Sequence, residues 1–213
     1  SVGNWLISKY ISKSDAKVIF NGDGSDEVTG GYMYFHHAPN SLEFDRECRR
    51  LLGDIHHFDV LRSDRSISSH GLEPRTPFLD RNFVQTYLSL PLKYRFNPDK
   101  CEKFLLRSSF NDSLLPIEVL WRTKEAFSDG VSSQKKPWFQ VIQEHLETYT
   151  PLKESYKDYK NEPKTLEQKY YRDIYDLYFK EKNTVPYFWM PKFVVATDSS
   201  ARTLDIYNKK KNE

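Results

Sequence analysis

Residues 21–32, NGDGSDEVTGGY, concentrate acidic side chains and glycines directly after the apolar triplet Val18–Phe20. Glycines at the end of a strand let the backbone turn tightly and pass close to a ligand. Carboxylates in the first turn of a following helix supply the oxygen ligands that Mg²⁺ prefers, and Mg²⁺ commonly comes with substrate phosphates. The stretch therefore favours metal and phosphate chemistry. On spacing alone a simpler alternative stays open, in which the acids cap a helix and the glycines only turn the chain.

Ligand loops of fixed spacing do not match this stretch. In the calcium-binding loop, Asn21, Asp23 and Ser25 would occupy the first three ligand positions. Asp26 then stands where that loop requires glycine, and Tyr32 stands where it requires a bidentate glutamate. The phosphate-binding patterns GxxxxGK(S/T) and GxGxxG do not occur here either.

A second candidate is the stretch RTKEAFSDG, residues 122–130. The ammonium group of Lys124 could act as a point charge on a phosphate or on a polarised carbonyl. An ordinary exposed ion pair between Lys124 and Glu125 is the competing interpretation.

Three arginines form the third candidate set, because a planar guanidinium can grip a substrate carboxylate with two parallel hydrogen bonds. They are Arg62, Arg65 and Arg75. Arg75 lies in HGLEPRTPFLD, residues 70–80, whose two prolines predict an extended segment. Each arginine could instead pair with a nearby acid, namely Asp64, Glu73 or Asp80.

Most of the elements that must position these residues are predicted to be helices. The exception is a short buried strand at Val18–Phe20, which ends at Gly22. Apolar spacing and capping residues predict five helices, and prolines with mixed charge predict one loop. The predicted helices are 48–63, 102–110, 137–149, a segment that is capped by Asp80 and stops near Pro91, and a segment that begins at the capping box of Thr165. The predicted loop is 150–164.

Composition limits the class of protein. The chain has 213 residues, a net charge of +2 and 38% apolar residues, which suits a globular protein and gives no reason to expect a nucleic acid or a membrane as partner. Only Cys48 and Cys101 are present, too few for a disulfide framework, so a reduced, cytosolic compartment fits best. The first residue is Ser1 rather than methionine, and we expect a fragment or a processed product.

Taken together, the three stretches and several others resemble the synthetase domain of the glutamine-hydrolysing asparagine synthetase family, of the animal type. The resemblance covers nearly the whole chain. It rests on VIFNGDGSDEVTGGYMYFHHAPN (18–40), FDVLRSDR (58–65), HGLEPRTPFLD (70–80), EKFLLR (102–107), LPIEVLWRTKEAFSDG (115–130) and WMPKFVVATDSSARTL (189–204).

The resemblance implies a fold and a reaction. The fold is α/β, of the ATP-pyrophosphatase (adenine nucleotide alpha hydrolase-like) kind. Residues 1–213 would form the C-terminal part of this synthetase domain, mostly helical, with a remnant of the parallel sheet and helices over at least half of residues 30–180. The family uses ATP and Mg²⁺ to adenylate the side chain of aspartate, and ammonia from glutamine then attacks the β-aspartyl-adenylate. Family members are often homodimers.

The resemblance also implies roles for single residues. Asn21 and Gly22 line ATP and the adenylate, Asp26 and Glu27 hold the metal, and Asp23 and Lys124 act at the reacting centre. The arginines named above are candidates for binding aspartate.

Some features depart from the family pattern. Position 23 is Asp where the animal pattern has Glu, and position 21 is Asn where Ser is usual. The pyrophosphate-binding loop SGGxDSS and the N-terminal glutaminase domain with its nucleophilic cysteine are missing. Two alternatives to an ATP-dependent amide ligase therefore stay open. One is a non-catalytic binding module that retains the fold. The other is a β-lactam-forming relative, which the intact KEAFSDG stretch makes a poorer match.

Overall fold

The computed structural model describes residues 2–110, 114–133, 135–181 and 183–207. They divide into two compact units, one built from residues 1–126 with 191–213 and the other from 127–190. In the first unit the regular elements are α1 (Val2–Ile11), β1 (Val18–Phe20), α2 (Ser25–Thr29), α3 (Ser41–Asp54), α4 (Asp59–Ser68), β2 (Glu73–Arg75), α5 (Arg81–Ser89), α6 (Leu92–Arg95), α7 (Phe104–Ser108) and α8 (Ile117–Leu120). The second unit contains α9 (Phe127–Gly130), α10 (Trp138–His145) and α11 (Leu166–Tyr178).

Short 3₁₀ helices complete the first unit, at Met33–His37, Ile55–His57, Pro77–Leu79 and Ala201–Thr203. Counting these with the α-helices, helical residues make up slightly more than half of residues 30–180, which confirms the predicted helical content. No helix in the described part of the chain is both long enough and apolar enough to cross a membrane.

The sheet consists of β1 and β2, which run parallel, with Val18 opposite Glu73 and Phe20 opposite Arg75. The position of the predicted strand is confirmed. The extended conformation predicted for residues 70–80 is confirmed at residues 73–75 but is wrong at Pro77–Leu79, which form a 3₁₀ helix. The predicted burial is wrong, because Val18 is 46% exposed and Phe20 77% exposed. A parallel strand is buried when helices or further strands cover both of its faces, and within the described residues β1 pairs only with β2.

The predicted single helix at 48–63 is wrong. The backbone leaves the helical region at Phe58 (φ −123°, ψ −94°), which separates α3 and the following 3₁₀ turn from α4. Apolar spacing does not detect this break, because the helical spacing of Leu51, Ile55, Phe58 and Leu61 continues across it. The break has a consequence for the site, since it makes Asp59 the first residue of α4.

Predicted helix ends that rest on side-chain caps are confirmed. The carboxylate of Asp80 accepts hydrogen bonds from the backbone N–H groups of Asn82 and Phe83 at the start of α5. Thr165 and Gln168 form the predicted reciprocal capping box at the start of α11. Two predicted helices are shorter than expected: α7 covers only part of 102–110 and α10 only part of 137–149. Residues 150–164 contain neither helix nor strand, as predicted.

The core of the first unit lies where α2 and the aromatic turn after it meet α3. Its largest fully buried side chains include Val28, Met33, Tyr34 and Cys48. Glu47, a charged residue, is also buried there: it accepts a 2.8 Å hydrogen bond from the Tyr34 hydroxyl and forms a 2.6 Å ion pair with Arg50. Because a buried charge is tolerated only when it is paired, this cluster fixes α3 against the segment that carries the acidic turn.

Candidate active site

The acidic turn is held between β1 and α2. The backbone N–H of Asn21 donates to the carbonyl of Arg75 at 3.0 Å, which continues the β1–β2 pairing into the turn. Gly24 has φ +88°, and a Cβ atom at that position would lie 2.3 Å from Leu79 Cδ2. Both the backbone conformation and the lack of space therefore require glycine at position 24. The chain then enters α2 at Ser25, so residues 23–27 project from one short turn.

Asp23 is a largely buried carboxylate with an unused oxygen. Its backbone N–H donates to Asn21 Oδ1, and the Asn21 amide donates to Ser63 Oγ at 2.7 Å, which links the turn to α4. The Oδ2 atom of Asp23 is buried and has no hydrogen-bond partner among the described residues. Burial raises the pKa of Asp23, although the hydrogen bond with Ser63 and the charge of Arg62 act in the opposite direction. A buried oxygen without a protein partner requires an explanation, which a bound water, an ion or a ligand can supply.

Asp26 lies between two lysines that come from distant parts of the chain. Lys103 Nζ is 3.0 Å from Oδ1 and Lys124 Nζ is 2.9 Å from Oδ2. Burial disfavours the ionised form of Asp26, but the two ammonium groups outweigh it, so the pKa of Asp26 is lowered. Two positive charges against one negative charge leave the cluster with a net positive charge, which suits an anionic ligand.

Lys103 was not identified from the sequence. It is the N-cap residue of α7 and lies in the left-handed backbone region, with φ +60°, which is uncommon for a residue other than glycine. Its side chain passes over Gly31: a Cβ atom there would lie 2.5 Å from Lys103 Cε and 2.3 Å from Asp26 Oδ1. Its ammonium group also donates to Ser25 Oγ at 2.8 Å. Lys103 belongs to the EKFLLR stretch on which the family resemblance partly rests. The resemblance drew attention to this stretch but assigned no role to any residue in it.

Glu27 and Asp59 form a buried carboxyl pair beside this cluster. The Tyr32 hydroxyl lies 2.5 Å from Glu27 Oε1 and 3.0 Å from Asp59 Oδ2. Burial and the neighbouring Asp59 raise the pKa of Glu27 to about 8. The pKa of Asp59 is lowered despite its burial, because the Glu27 carboxyl donates to it and Arg62 pairs with it. At neutral pH the pair therefore shares one negative charge, carried mainly by Asp59.

We expect replacement of Glu27 by glutamine to remove a pH-dependent loss of stability. The folded chain binds the Glu27 proton more tightly than the unfolded chain, whose glutamate pKa is 4.5, so wild-type stability falls as pH rises from about 5 to about 8. Glu27→Gln lacks this titration. Its stability relative to wild type should rise by at most about 1.4 kcal/mol per pH unit across that window. Thermal unfolding of both proteins at several pH values measures the difference, and a difference independent of pH would contradict the shared-proton arrangement.

The structure distinguishes the three arginines. The Arg62 guanidinium pairs with Asp59 and lies 3.9 Å from Asp23 Oδ1. Arg65 is 4.0 Å from Asp64 and its side chain is 80% exposed. Arg75 pairs with Glu73, the structural pairing considered above. Of the three arginines, only Arg62 therefore forms ion pairs with the carboxylates around the acidic turn among the described residues.

Arg62 and Arg65 nevertheless share one open cavity of about 600 Å³. Its lining combines these two cations with apolar side chains, among them Trp5 of α1, Phe58 at the helix break and Leu61 of α4. Arg75 is not part of this lining. Because they line this cavity, Arg62 and Arg65 stay candidates for binding a substrate. Arg62 is the one of the two that also lies close to Asp23.

The two acids predicted to hold a metal differ in their chemistry. Asp26 is ionised, which is the state that can ligate Mg²⁺. Glu27 is mainly protonated at neutral pH and is hydrogen-bonded to Tyr32, so it fits a metal ligand less well. No cluster of three or more His, Cys, Asp or Glu side chains arranged to hold a metal occurs among the described residues. Of the two acids predicted to hold a metal, Asp26 is therefore the better fit by its charge state, although both of its oxygens already contact lysines.

An acidic turn and converging ammonium groups at the carboxyl end of a parallel strand are the arrangement expected of a ligand site in an α/β protein. Comparison with known proteins gives the family. A family model of asparagine synthase matches residues 1–47 and 39–185. The chain is 50% identical over 214 residues, 97% of its length, to the asparagine synthetase (glutamine-hydrolyzing) of Gallus gallus, and 49% identical over the same share to those of Homo sapiens and Rattus norvegicus. The chain belongs to the asparagine synthase family, and it spans 38% of the length of these relatives.

Proposed function

We propose that the protein containing this chain synthesises asparagine from aspartate in an ATP-dependent reaction that passes through a β-aspartyl-adenylate, with ammonia derived from glutamine. The observation that carries the proposal is the juxtaposition at one turn of an unpartnered, buried Asp23 oxygen and two lysines on Asp26. The family membership and the names of the relatives support asparagine synthesis.

Each residue of the site has a proposed role. Asn21 and Gly22, which follow β1 directly, would line the nucleotide. Lys124, joined by Lys103, would neutralise the charge that develops as pyrophosphate leaves. Asp23 would act at the reacting carboxyl group or accept a proton from the attacking amine. Mg²⁺, held by Asp26, would supply further charge neutralisation on the phosphates when bound.

The remaining parts of the proposal concern the complete protein. Residues 1–213 would be the C-terminal part of a synthetase domain of the ATP-pyrophosphatase kind, consistent with a mostly helical chain and a two-stranded parallel sheet. A glutaminase domain would supply the ammonia, as the word glutamine-hydrolyzing in the names of the relatives suggests. A homodimer and a cytosolic location stay predictions from the sequence.

The test is aspartate-dependent exchange of labelled pyrophosphate into ATP, measured beside asparagine formation on the complete protein. We expect both activities in wild type and a loss of about 10²-fold or more in Lys124→Ala, because an electrostatic group at the leaving phosphate is removed. Lys13→Ala, which removes an exposed lysine just after α1, is the matched control and should leave both rates unchanged. Absence of aspartate-dependent exchange in a folded wild-type protein would refute the proposal.

A further inference from the structure

Glu125, the residue after Lys124, is bound by two side chains from the end of the chain. Its Oε1 atom forms a 2.9 Å ion pair with Arg202 Nη2 and accepts a 3.0 Å hydrogen bond from the Tyr207 hydroxyl. These contacts join positions 77 and 82 residues apart in the sequence. The interpretation of Lys124 and Glu125 as an exposed pair with each other therefore does not describe the structure, since each side chain has a different, distant partner.

Residues 198–207, here called the C-terminal segment, are held in shape by local hydrogen bonds. Asp198 accepts a hydrogen bond from the Ser200 N–H, and Ser200 Oγ accepts one from the Arg202 N–H, which caps the 3₁₀ turn Ala201–Thr203. Leu204 and Tyr207 are each 5% exposed. The Arg202 side chain is 7% exposed. The segment therefore presents a buried, fixed guanidinium to Glu125 rather than a freely rotating one.

The segment that carries Lys124 depends on such contacts for its position. Residues 121–126 lie in neither a helix nor a strand. On one side, Arg107 Nη1 from α7 donates to the carbonyls of Leu120 and Arg122, at 2.9 and 2.7 Å. On the other side, the Arg202 and Tyr207 contacts hold Glu125. Charge-assisted hydrogen bonds to a partly buried carboxylate are among the stronger polar contacts in proteins, so the backbone around Lys124 is fixed from both sides.

We propose that the C-terminal segment positions Lys124 for the reaction, with Arg202 and Tyr207 as positioning residues that act through Glu125. Neither residue needs to touch a substrate. Loss of their contacts would free residues 121–126 and let the Lys124 ammonium move away from Asp26 and from the phosphates it serves. A displacement of about 1 Å at such a group can cost about 10²-fold in rate. The inference rests on the proposed function only for the role of Lys124.

The kinetic test uses Arg202→Ala and Tyr207→Phe in the complete protein. We expect kcat for pyrophosphate–ATP exchange to fall by about 10- to 10²-fold in Arg202→Ala and by less in Tyr207→Phe, with small changes in KM, because Lys124 acts mainly in the transition state. Arg202→Lys keeps the charge and should recover part of the rate. Arg46→Ala removes an exposed arginine paired with Glu43 and is the matched control. Unchanged kcat in a folded Arg202→Ala protein would overturn the inference.

Hydrogen exchange gives a second readout that does not need activity. Amides of residues 121–126 should exchange faster in Arg202→Ala and Tyr207→Phe than in wild type, while the control Arg46→Ala leaves them unchanged. The charge-reversed pair Glu125→Arg/Arg202→Glu should restore part of the protection that either single change removes. Protection at 121–126 that is insensitive to Arg202 would refute the positioning role even if the enzyme reaction is confirmed. Faster exchange without any aspartate-dependent activity in wild type would refute the proposed function alone.

Discussion

Replacing Asp23 with asparagine is expected to lower asparagine formation by about 10²-fold or more without destabilising the fold. The expected rate loss follows from the proposed role of its unpartnered oxygen at the reacting centre. The stability effect follows from burial, which raises the pKa of Asp23. An acid whose pKa is raised on folding opposes folding when it is ionised, so at pH 7 the neutral asparagine removes an unfavourable term. The midpoint of thermal unfolding should stay the same or rise.

The matched change Asp23→Glu tests whether the carboxylate charge is needed independently of its exact position. It keeps the carboxylate and restores the residue usual in the animal family, so activity should be retained. ATP binding should be nearly intact in Asp23→Asn, because Lys103 and Lys124 are unchanged. Full asparagine synthesis by Asp23→Asn would show that Asp23 is only part of the turn that precedes α2, and the functional interpretation of the turn would then reduce to Asp26.

Features set by neighbouring residues could be predicted from the sequence. The turn after β1, the Asp80 cap and the Thr165 capping box each depend on groups within a few positions of one another. Glycine, proline and capping side chains restrict the backbone locally, so a pattern of residue types is enough to place such elements. The acidic turn was found in the same way, because all of its acids lie within five consecutive positions.

The partners of those acids could not be predicted, because they come from distant segments. Lys103 lies 78 residues from the serine that it contacts, and Lys124 lies 98 residues from Asp26. The Glu27–Asp59 pair depends on the backbone break at Phe58, which apolar spacing does not reveal. For the same reason the sequence left the arginines equivalent, whereas packing of α4 against the turn brings only Arg62 to Asp23.

Asp26→Asn, three positions from Asp23, should destabilise the fold, in contrast to Asp23→Asn. Asp26→Asn removes the shared partner of Lys103 and Lys124 and leaves two ammonium groups close together in a site that is mostly shielded from water. Loss of one partner from a fully buried ion pair costs about 3–5 kcal/mol. Because the three side chains are 17–18% exposed, we expect about 2–3 kcal/mol here, which corresponds to a decrease of about 4–12 °C in the midpoint of thermal unfolding.

The double variant Asp26→Asn/Lys103→Met identifies the cause of that loss. Burial and the neighbouring Lys124 already lower the pKa of Lys103, and Asp26 is the group that favours its charged form. Without Asp26, a methionine at position 103 relieves the repulsion between the two ammonium groups and fills a similar volume. The double variant should therefore be more stable than Asp26→Asn alone by about 1–2 kcal/mol, a coupling typical of residues in one ion-pair network. If Lys103→Met instead destabilises Asp26→Asn further, the two lysines do not repel each other at this site, and Asp26 stabilises the fold by some route other than their neutralisation.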